Sequence, residues 1–428
     1  MTSQSLLRAG SKALSGYALS MVFLAAASLA AIPAMVSASG GVAWGSIAAG
    51  QSIGGVAATI IAWGWGLSGP ATIARADAND RLTEYVESVI SKLLLFVPVG
   101  SLAFIAALLV GRDFGVFAAV GALSMSTIGL TANWYFVGAG RPYVLLVCET
   151  IPRVLGTAVG IALMSSGSSA LVGVSCQLVG SLLACIISSL WIIRPWNRST
   201  LAGISRRPVL SVLAAQRYGV TSTVMSSIYN AAPIVIVSLV APTVQPIYAV
   251  VDKVQRQVIV ALGPFVTVLQ GWVPRSSGTG VIQRVRIGIG TSAVGAILLG
   301  VVMLLLAPEL VRWLGNGQIT PTFLMLALTS IITAVSLFEQ TVSKACLAAL
   351  RRLDVVARST AIGSIAGLPL VAIGAVSFGA AGALAGILAG LILRLLLELL
   401  GLRKAMVHPL FSAEQHPVLS PALDVDEV

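Results

Sequence analysis

Asp252, Lys253 and Arg256 fall inside one long apolar stretch of this chain. An ionised side chain at the centre of a bilayer costs at least about 2.5–3.5 kcal/mol on insertion scales, so it is kept where it meets a counter-charge, water or a ligand. On a helix that turns about 100° per residue, Gln245, Tyr248, Asp252, Lys253, Gln255 and Arg256 share one side. Asp252 precedes Arg256 by four residues, the order that favours an intrahelical ion pair. Such a pair would neutralise itself and leave Lys253 as the net charge. A patch of this kind can hold an anion by electrostatics, with Lys253 and Arg256 as the cations and Gln245 and Tyr248 beside them. The same residues can instead be an ion-pair network that ties helices together. Asp252 is in addition a carboxylate on which a coupling proton or sodium ion could act.

A second pair has the same spacing and depth. Glu149 and Arg153 are four residues apart, so Arg153 can contribute a second cation to the patch, or the two can form a buried pair. Glu149 is the other candidate for ion coupling. Upstream of the first cluster, Tyr218, Ser222, Ser226, Tyr229 and Asn230 recur at helical spacing and lead to Pro233. A proline inside a helix removes a backbone hydrogen bond, which can open polar groups toward a cavity. Hydroxyls in such helices more often bond their own backbone or a neighbouring helix. Glu339, Arg394 and Glu398 lie near span ends and read as interfacial anchors that snorkel to the headgroups.

The elements that must position these groups are membrane helices. The sequence is 57% hydrophobic and 10% charged, against about 25% charged residues in a soluble domain. Apolar runs near the ~20 residues of a crossing helix recur throughout the 428 residues. They occupy 13–36, 42–66, 88–110, 114–136, 143–165, 170–193, 212–240, 244–271, 285–307, 319–341, 355–377 and 379–401, which predicts twelve transmembrane helices. The first run is too long for a signal-peptide h-region and is read as a retained span.

Cation placement orients the spans. With the N-terminus inside, Arg112 and Arg312 lie at external ends and Arg153, Lys253, Arg256 and Arg394 lie within spans. The other 20 of the 26 cations fall on cytoplasmic segments. Both termini are therefore expected in the cytoplasm. The net charge of +11 reflects this topology, with anionic membrane lipid rather than nucleic acid as its counterpart. Tryptophans near the span ends, among them Trp44, Trp65, Trp134 and Trp313, are expected to form interfacial belts. The four cysteines match no zinc or redox spacing and both histidines, His408 and His416, belong to the tail, so no metal site is expected. No phosphate-binding loop for nucleotide hydrolysis is present.

A basic link near the middle separates six spans from six. The expected organisation is an N-terminal lobe 1–193, a cytoplasmic linker 194–211, a C-terminal lobe 212–403 and a disordered tail 404–428. An even number of spans per half gives both halves one orientation, with a pseudo-two-fold along the membrane normal. Pro33 in span one and Pro233 in span seven lie about equally deep in their helices and are candidate hinges. Gly41, Gly45, Gly50, Gly54 and Gly55 suit close helix packing in the charge-free first two spans.

Together these features resemble the polysaccharide-transporter, or Wzx-type O-antigen flippase, branch of the multidrug/oligosaccharidyl-lipid/polysaccharide exporter superfamily. The resemblance covers nearly all twelve spans. It is carried by the two six-span halves and by Trp134-Tyr-Phe-Val-Gly-Ala-Gly-Arg-Pro before span five. In span eight it is carried by Val244-Gln-Pro-Ile-Tyr-Ala-Val-Val-Asp-Lys-Val-Gln-Arg, by Pro264-Phe and by Gln270-Gly-Trp-Val-Pro274-Arg. It implies a MATE-like, V-shaped pair of lobes in the bacterial inner membrane, working by alternating access without a bound cofactor and without enzymatic activity. It also implies a monomer that moves an undecaprenyl-diphosphate-linked oligosaccharide to the outer leaflet, coupled to a proton or sodium gradient, with glycosyltransferases and a polymerase as pathway partners. Lys253 and Arg256 would hold the diphosphate, with Arg153, Tyr229 and Asn230 nearby. The first two spans lack the arginines, and the chain lacks the two extra spans, of lipid II flippases. A multidrug extruder of the same fold is the alternative, although such pumps use membrane carboxylates and the first span has none. A glycan polymerase would need a large external loop, and the external links here are short.

Overall fold

The computed structural model describes residues 3–194, 208–273, 279–350 and 352–407. The linker segment 195–207, Pro274 and Arg275, and the tail from His408 lie outside them. The described residues are helical almost throughout and contain no strand. This follows from the solvent: in hydrocarbon every backbone N–H and C=O must be satisfied within its own segment, which a helix does.

Among the described residues, eight helical stretches are long and apolar enough to cross a bilayer. Two of them hold two crossings each. The helix Ser3–Ala62 breaks at Gly40, where φ is 82°, and the helix Leu353–Val407 breaks at Gly379, where φ is 63°. Only glycine adopts such a left-handed conformation without a Cβ penalty, so each break is a hairpin between two spans. Span seven, Val209–Val240, and span eight, Gln245–Ala261 continued by Gly263–Trp272, complete the set. They meet across Pro242–Val244, with a 119° bend between Ser227–Val240 and Pro242–Ala261. The result is an all-α membrane protein of twelve spans in two six-span lobes.

Four local features depart from the expected boundaries. Span two ends at Ala62, because Trp63 and Gly64 take φ of 41° and 81°. A separate short helix, Trp65–Arg75, follows. Span three begins at Ala78, ahead of the apolar run, capped by the Asp77 carboxylate, which accepts the Asp80 N–H at 2.9 Å. Span four is interrupted by a 3-10 turn, Thr127–Leu130. Spans five and ten each contain a π-helical turn, Leu146–Thr150 and Val342–Leu347.

Large apolar side chains face outward, among them Leu94, Val97, Leu102 and Leu109 of span three and Ile365, Ile373 and Val376 of span eleven. Lipid is as apolar as leucine, so the interior is instead packed through small residues. A Cβ on Gly50 would collide with the Ala118 carbonyl and one on Gly54 with that of Ala122, locking span two against span four. Gly367 and Gly390 do the same between spans eleven and twelve.

The largest core cluster joins both lobes. Ile32, Trp44, Ile47 and Val174 pack there with Tyr248, Leu314 and Leu384. All lie toward the face opposite the chain ends. Toward the face that carries the chain ends the core divides, into a C-lobe cluster around Val273, Val285 and Cys346 and a cluster around Trp65, Tyr85 and Trp134 of the N-terminal lobe, on which Val212 at the start of span seven also packs. Joined cores at one face and divided cores at the other describe a V that opens toward the chain ends.

Candidate functional site

Between the arms of the V lies a cavity of about 230 Å3, bordered by Gln51, Ser52 and Gly55 of span two, Met125 of span four, Ser227, Asn230 and Ile234 of span seven, and Asp252, Lys253 and Arg256 of span eight. A second cavity of about 100 Å3 runs into the N-terminal lobe, past Gln51, Arg153, Gln177 and Ser181 to Trp44, and Lys253 borders this one as well. Lys253 thus stands where the two spaces meet.

Asp252 and Arg256 form the expected ion pair. The guanidinium donates through Nε to Oδ2 at 2.6 Å and through Nη2 to Oδ1 at 3.0 Å. This bidentate fork is the strong form of the interaction. Nη2 also donates to the Asn230 carbonyl at 2.5 Å, in the helical turn just before Pro233, where the proline disturbs the backbone ladder. Arg256 is therefore committed to span seven and to its own helix. Its side chain is 38% exposed and that of Asp252 11%. The Lys253 amine has no hydrogen bond or ion pair among the described residues, and it borders both cavities.

Arg153 lies on the N-lobe wall of the second cavity. No ion pair links it to Glu149 among the described residues. Glu149 sits in the π-helical turn, which breaks the i,i+4 stacking, and accepts the backbone N–H of Ala132 at 2.5 Å. Lys92, one of the 20 cations that the orientation assigned to cytoplasmic segments, is 2% exposed and donates to the neighbouring Thr131 carbonyl at 3.0 Å, 5.5 Å from the Trp134 ring. Glu149 and Lys92 together satisfy the backbone at the break in span four. Arg153 and Lys253 are then the charged residues that border the second cavity among the described residues, one from each lobe; Glu149 and Asp252 act on them electrostatically from behind its wall without bonding to them.

Other expectations are corrected. Gln245 does not reach either cavity: it is 4% exposed and its Nε2 donates to the Gly45 carbonyl at 2.7 Å, pinning span eight to span two. Tyr248 is fully buried in the joint core, and its hydroxyl has no hydrogen-bond partner among the described residues. Asn230 borders the first cavity, whereas the electrostatic neighbours of Tyr229 include Arg394 and Glu339 in the C-terminal lobe. The side chains of Tyr218, Ser222 and Ser226 lie outside the described set. Both prolines sit inside continuous helices; the break near Pro33 is at Gly40. Glu339 and Glu398 are not snorkelling anchors, being 4% and 0% exposed. Trp44, Trp65 and Trp134 are buried, and of the belt tryptophans Trp313 is exposed.

Some cavity residues carry little sequence signal. Gln51 donates through Nε2 to Gln177 Oε1 at 3.3 Å across the second cavity. Each is a lone amide in an otherwise apolar span, which is the only mark that could have singled it out.

The chain superposes on an inward-facing multidrug resistance MATE family transporter of the MOP superfamily with a TM-score of 0.71 at 14% identity, over 89% of this chain and 94% of that one. It has the MATE fold. A eukaryotic MATE transporter, AtDTX14, also matches, with a TM-score of 0.50 at 15% identity over 94% of this chain and 99% of the other. No family model and no curated protein matches the sequence.

Proposed function

We propose that this protein is a transporter that moves an undecaprenyl-diphosphate-linked oligosaccharide between the leaflets of the bacterial inner membrane by alternating access. One observation carries the reading. Lys253 and Arg153, from opposite lobes, border one intramembrane cavity that has no carboxylate among the described residues of its wall. Two cations at membrane depth are expensive to keep without an anion to meet. A diphosphate supplies one, and its lipid tail can stay in the bilayer while the glycan occupies the wider cavity between the arms. Arg256 plays the lesser part, because Asp252 and Asn230 hold it in place. The opening toward the chain ends, which the cation asymmetry of the sequence assigns to the cytoplasm, is the side on which such a substrate is made.

Replacing Lys253 and Arg153 together with glutamine is expected to abolish surface glycan and to accumulate lipid-linked oligosaccharide on the cytoplasmic side, with unchanged protein level in the membrane. Normal glycan export by that variant would overturn the reading. Drug hypersensitivity on deletion, without accumulation of lipid-linked oligosaccharide, would assign the chain to multidrug extrusion.

A further inference from the structure

Lys92 of span three is buried in the N-terminal lobe and borders neither cavity. Its Nζ donates to the Thr131 carbonyl at 3.0 Å and stands 5.5 Å from the Trp134 ring, a contact that favours a cation. The N–H of the same peptide group, that of Ala132, donates to Oε1 of Glu149 at 2.5 Å. Glu149 is 4% exposed and borders neither cavity. One peptide unit at the break in span four is therefore held at both ends, its oxygen by a lysine from span three and its nitrogen by a carboxylate from span five.

Glu149 has a second cation within electrostatic reach. Arg153 acts on it together with Lys92, yet no ion pair joins Glu149 to Arg153 among the described residues. The other ionisable groups that feel Glu149 are Tyr85 of span three and Cys185 of span six. Both are engaged in neutral hydrogen bonds, Tyr85 with Ser189 at 2.8 Å and Cys185 with the Thr127 carbonyl at 3.7 Å. The group of Lys92, Glu149 and Arg153 thus carries two positive charges and one negative, and the surplus belongs to Arg153, the member that borders the second cavity. Without the charge of Lys92 the sum would be zero. A buried carboxylate that loses its counter-charge is costly, and Arg153 would be the cation left to it, at the four-residue spacing where such side chains pair on a helix.

We propose that Lys92 is a positioning residue for the anion site: by meeting Glu149 across the Thr131–Ala132 peptide group, it keeps the Arg153 charge free for the second cavity. This rests on the role proposed above for Arg153, and adds to it a residue that the substrate does not touch. The π-helical turn Leu146–Thr150 contributes by setting Glu149 toward span four instead of over Arg153. The positive potential of the cavity is then the work of three spans, with the third supplying the charge that balances Glu149.

The test reads the charge of the cavity directly. In the full chain in lipid nanodiscs, freed of its native cysteines, Ser181→Cys places a reporter thiol on the wall of the second cavity. The ratio of its modification rates by an anionic and a cationic methanethiosulfonate reagent measures the local potential. Arg153→Gln should lower that ratio about tenfold, the order expected for losing one unit charge near a partly dry wall. Lys92→Gln should lower it as far, although Arg153 is still present, and Lys92→Arg should hold it near the wild-type value. Lys92→Gln combined with Glu149→Gln should restore it, which a merely structural role for Lys92 would not. Glu149→Gln alone should keep or raise the ratio, and this arm holds whether or not Lys92→Gln reaches the membrane. A ratio that Arg153→Gln lowers and Lys92→Gln leaves unchanged, a double variant that does not recover, or a ratio lowered by Glu149→Gln would overturn the proposal and leave the anion site standing. A ratio that Arg153→Gln does not move would overturn the anion site itself, and the proposal with it.

Discussion

Arg256 and Lys253 lie three residues apart on one helix and have opposite fates. Arg256 is held through Nε and Nη2, by Asp252 in a bidentate fork and by the Asn230 carbonyl, while Lys253 is left to the cavities. Neutralising Asp252 alone should leave the Arg256 charge half-compensated in a partly dry site, and neutralising Arg256 alone should strand the carboxylate. Asp252→Asn and Arg256→Gln are therefore each expected to lower the thermal midpoint of the purified protein. The double variant should lose less than the sum, with a coupling of about 1–2 kcal/mol, near the middle of the range for residues in one charge network. Additive losses would show that the fork contributes nothing. The helical spacing of the sequence was enough to find this pair. It could not find the burial of Gln245 and Tyr248, because a helical wheel assigns residues to a side without saying what covers that side. Here the covering surface is span two, two hundred positions away in sequence for the Gln245–Gly45 bond. Lys92 and Glu339 were misread for a related reason: both stand close to span ends, and only the packing of neighbouring spans turns those ends into interior.

At the scale of the helices, the apolar runs located the crossings because the hydrocarbon thickness fixes their length. The interruptions were less legible. The π-helical turns and the 3-10 turn in span four leave no mark in apolarity, since a changed hydrogen-bond register needs no change of residue class. The glycines were legible in kind, as small residues suited to close packing, but not in partner. Gly50 and Gly54 approach the backbone of span four, whereas a Cβ on Gly55 would meet nothing within 4 Å and the residue borders the first cavity. These neighbours on one helix make a sharp comparison. Gly50→Ala and Gly54→Ala must push two backbones apart, and overpacking of this kind costs about 1–3 kcal/mol each. Gly55→Ala should be neutral or slightly stabilising, through the gain in helix propensity. Thermal unfolding of the three variants in detergent measures the contrast. Equal midpoints would mean that spans two and four are not in the described contact.

For the molecule as a whole, the distribution of the core decides which way the space between the lobes opens. A single cluster joins the lobes at the face opposite the chain ends, and two separate clusters sit at the other. Two polar bonds reinforce the closed side, Gln245 to the Gly45 carbonyl and Arg112 to the Leu239 carbonyl. Alternating access requires these contacts to part, so holding them together should trap one state. A Cβ built on Gly41 would lie 3.3 Å from the Cβ of Pro246, close to the ~3.5–4.5 Å that a disulfide spans. Gly41→Cys with Pro246→Cys, in a background freed of the native cysteines, is expected to cross-link under mild oxidation, as a gel-mobility shift reversed by reductant. Under the proposed transport cycle the cross-link should stop glycan export, and reduction should restore it. Full export by the cross-linked protein would mean that the joined face never opens, leaving a one-sided cleft in place of a cycle.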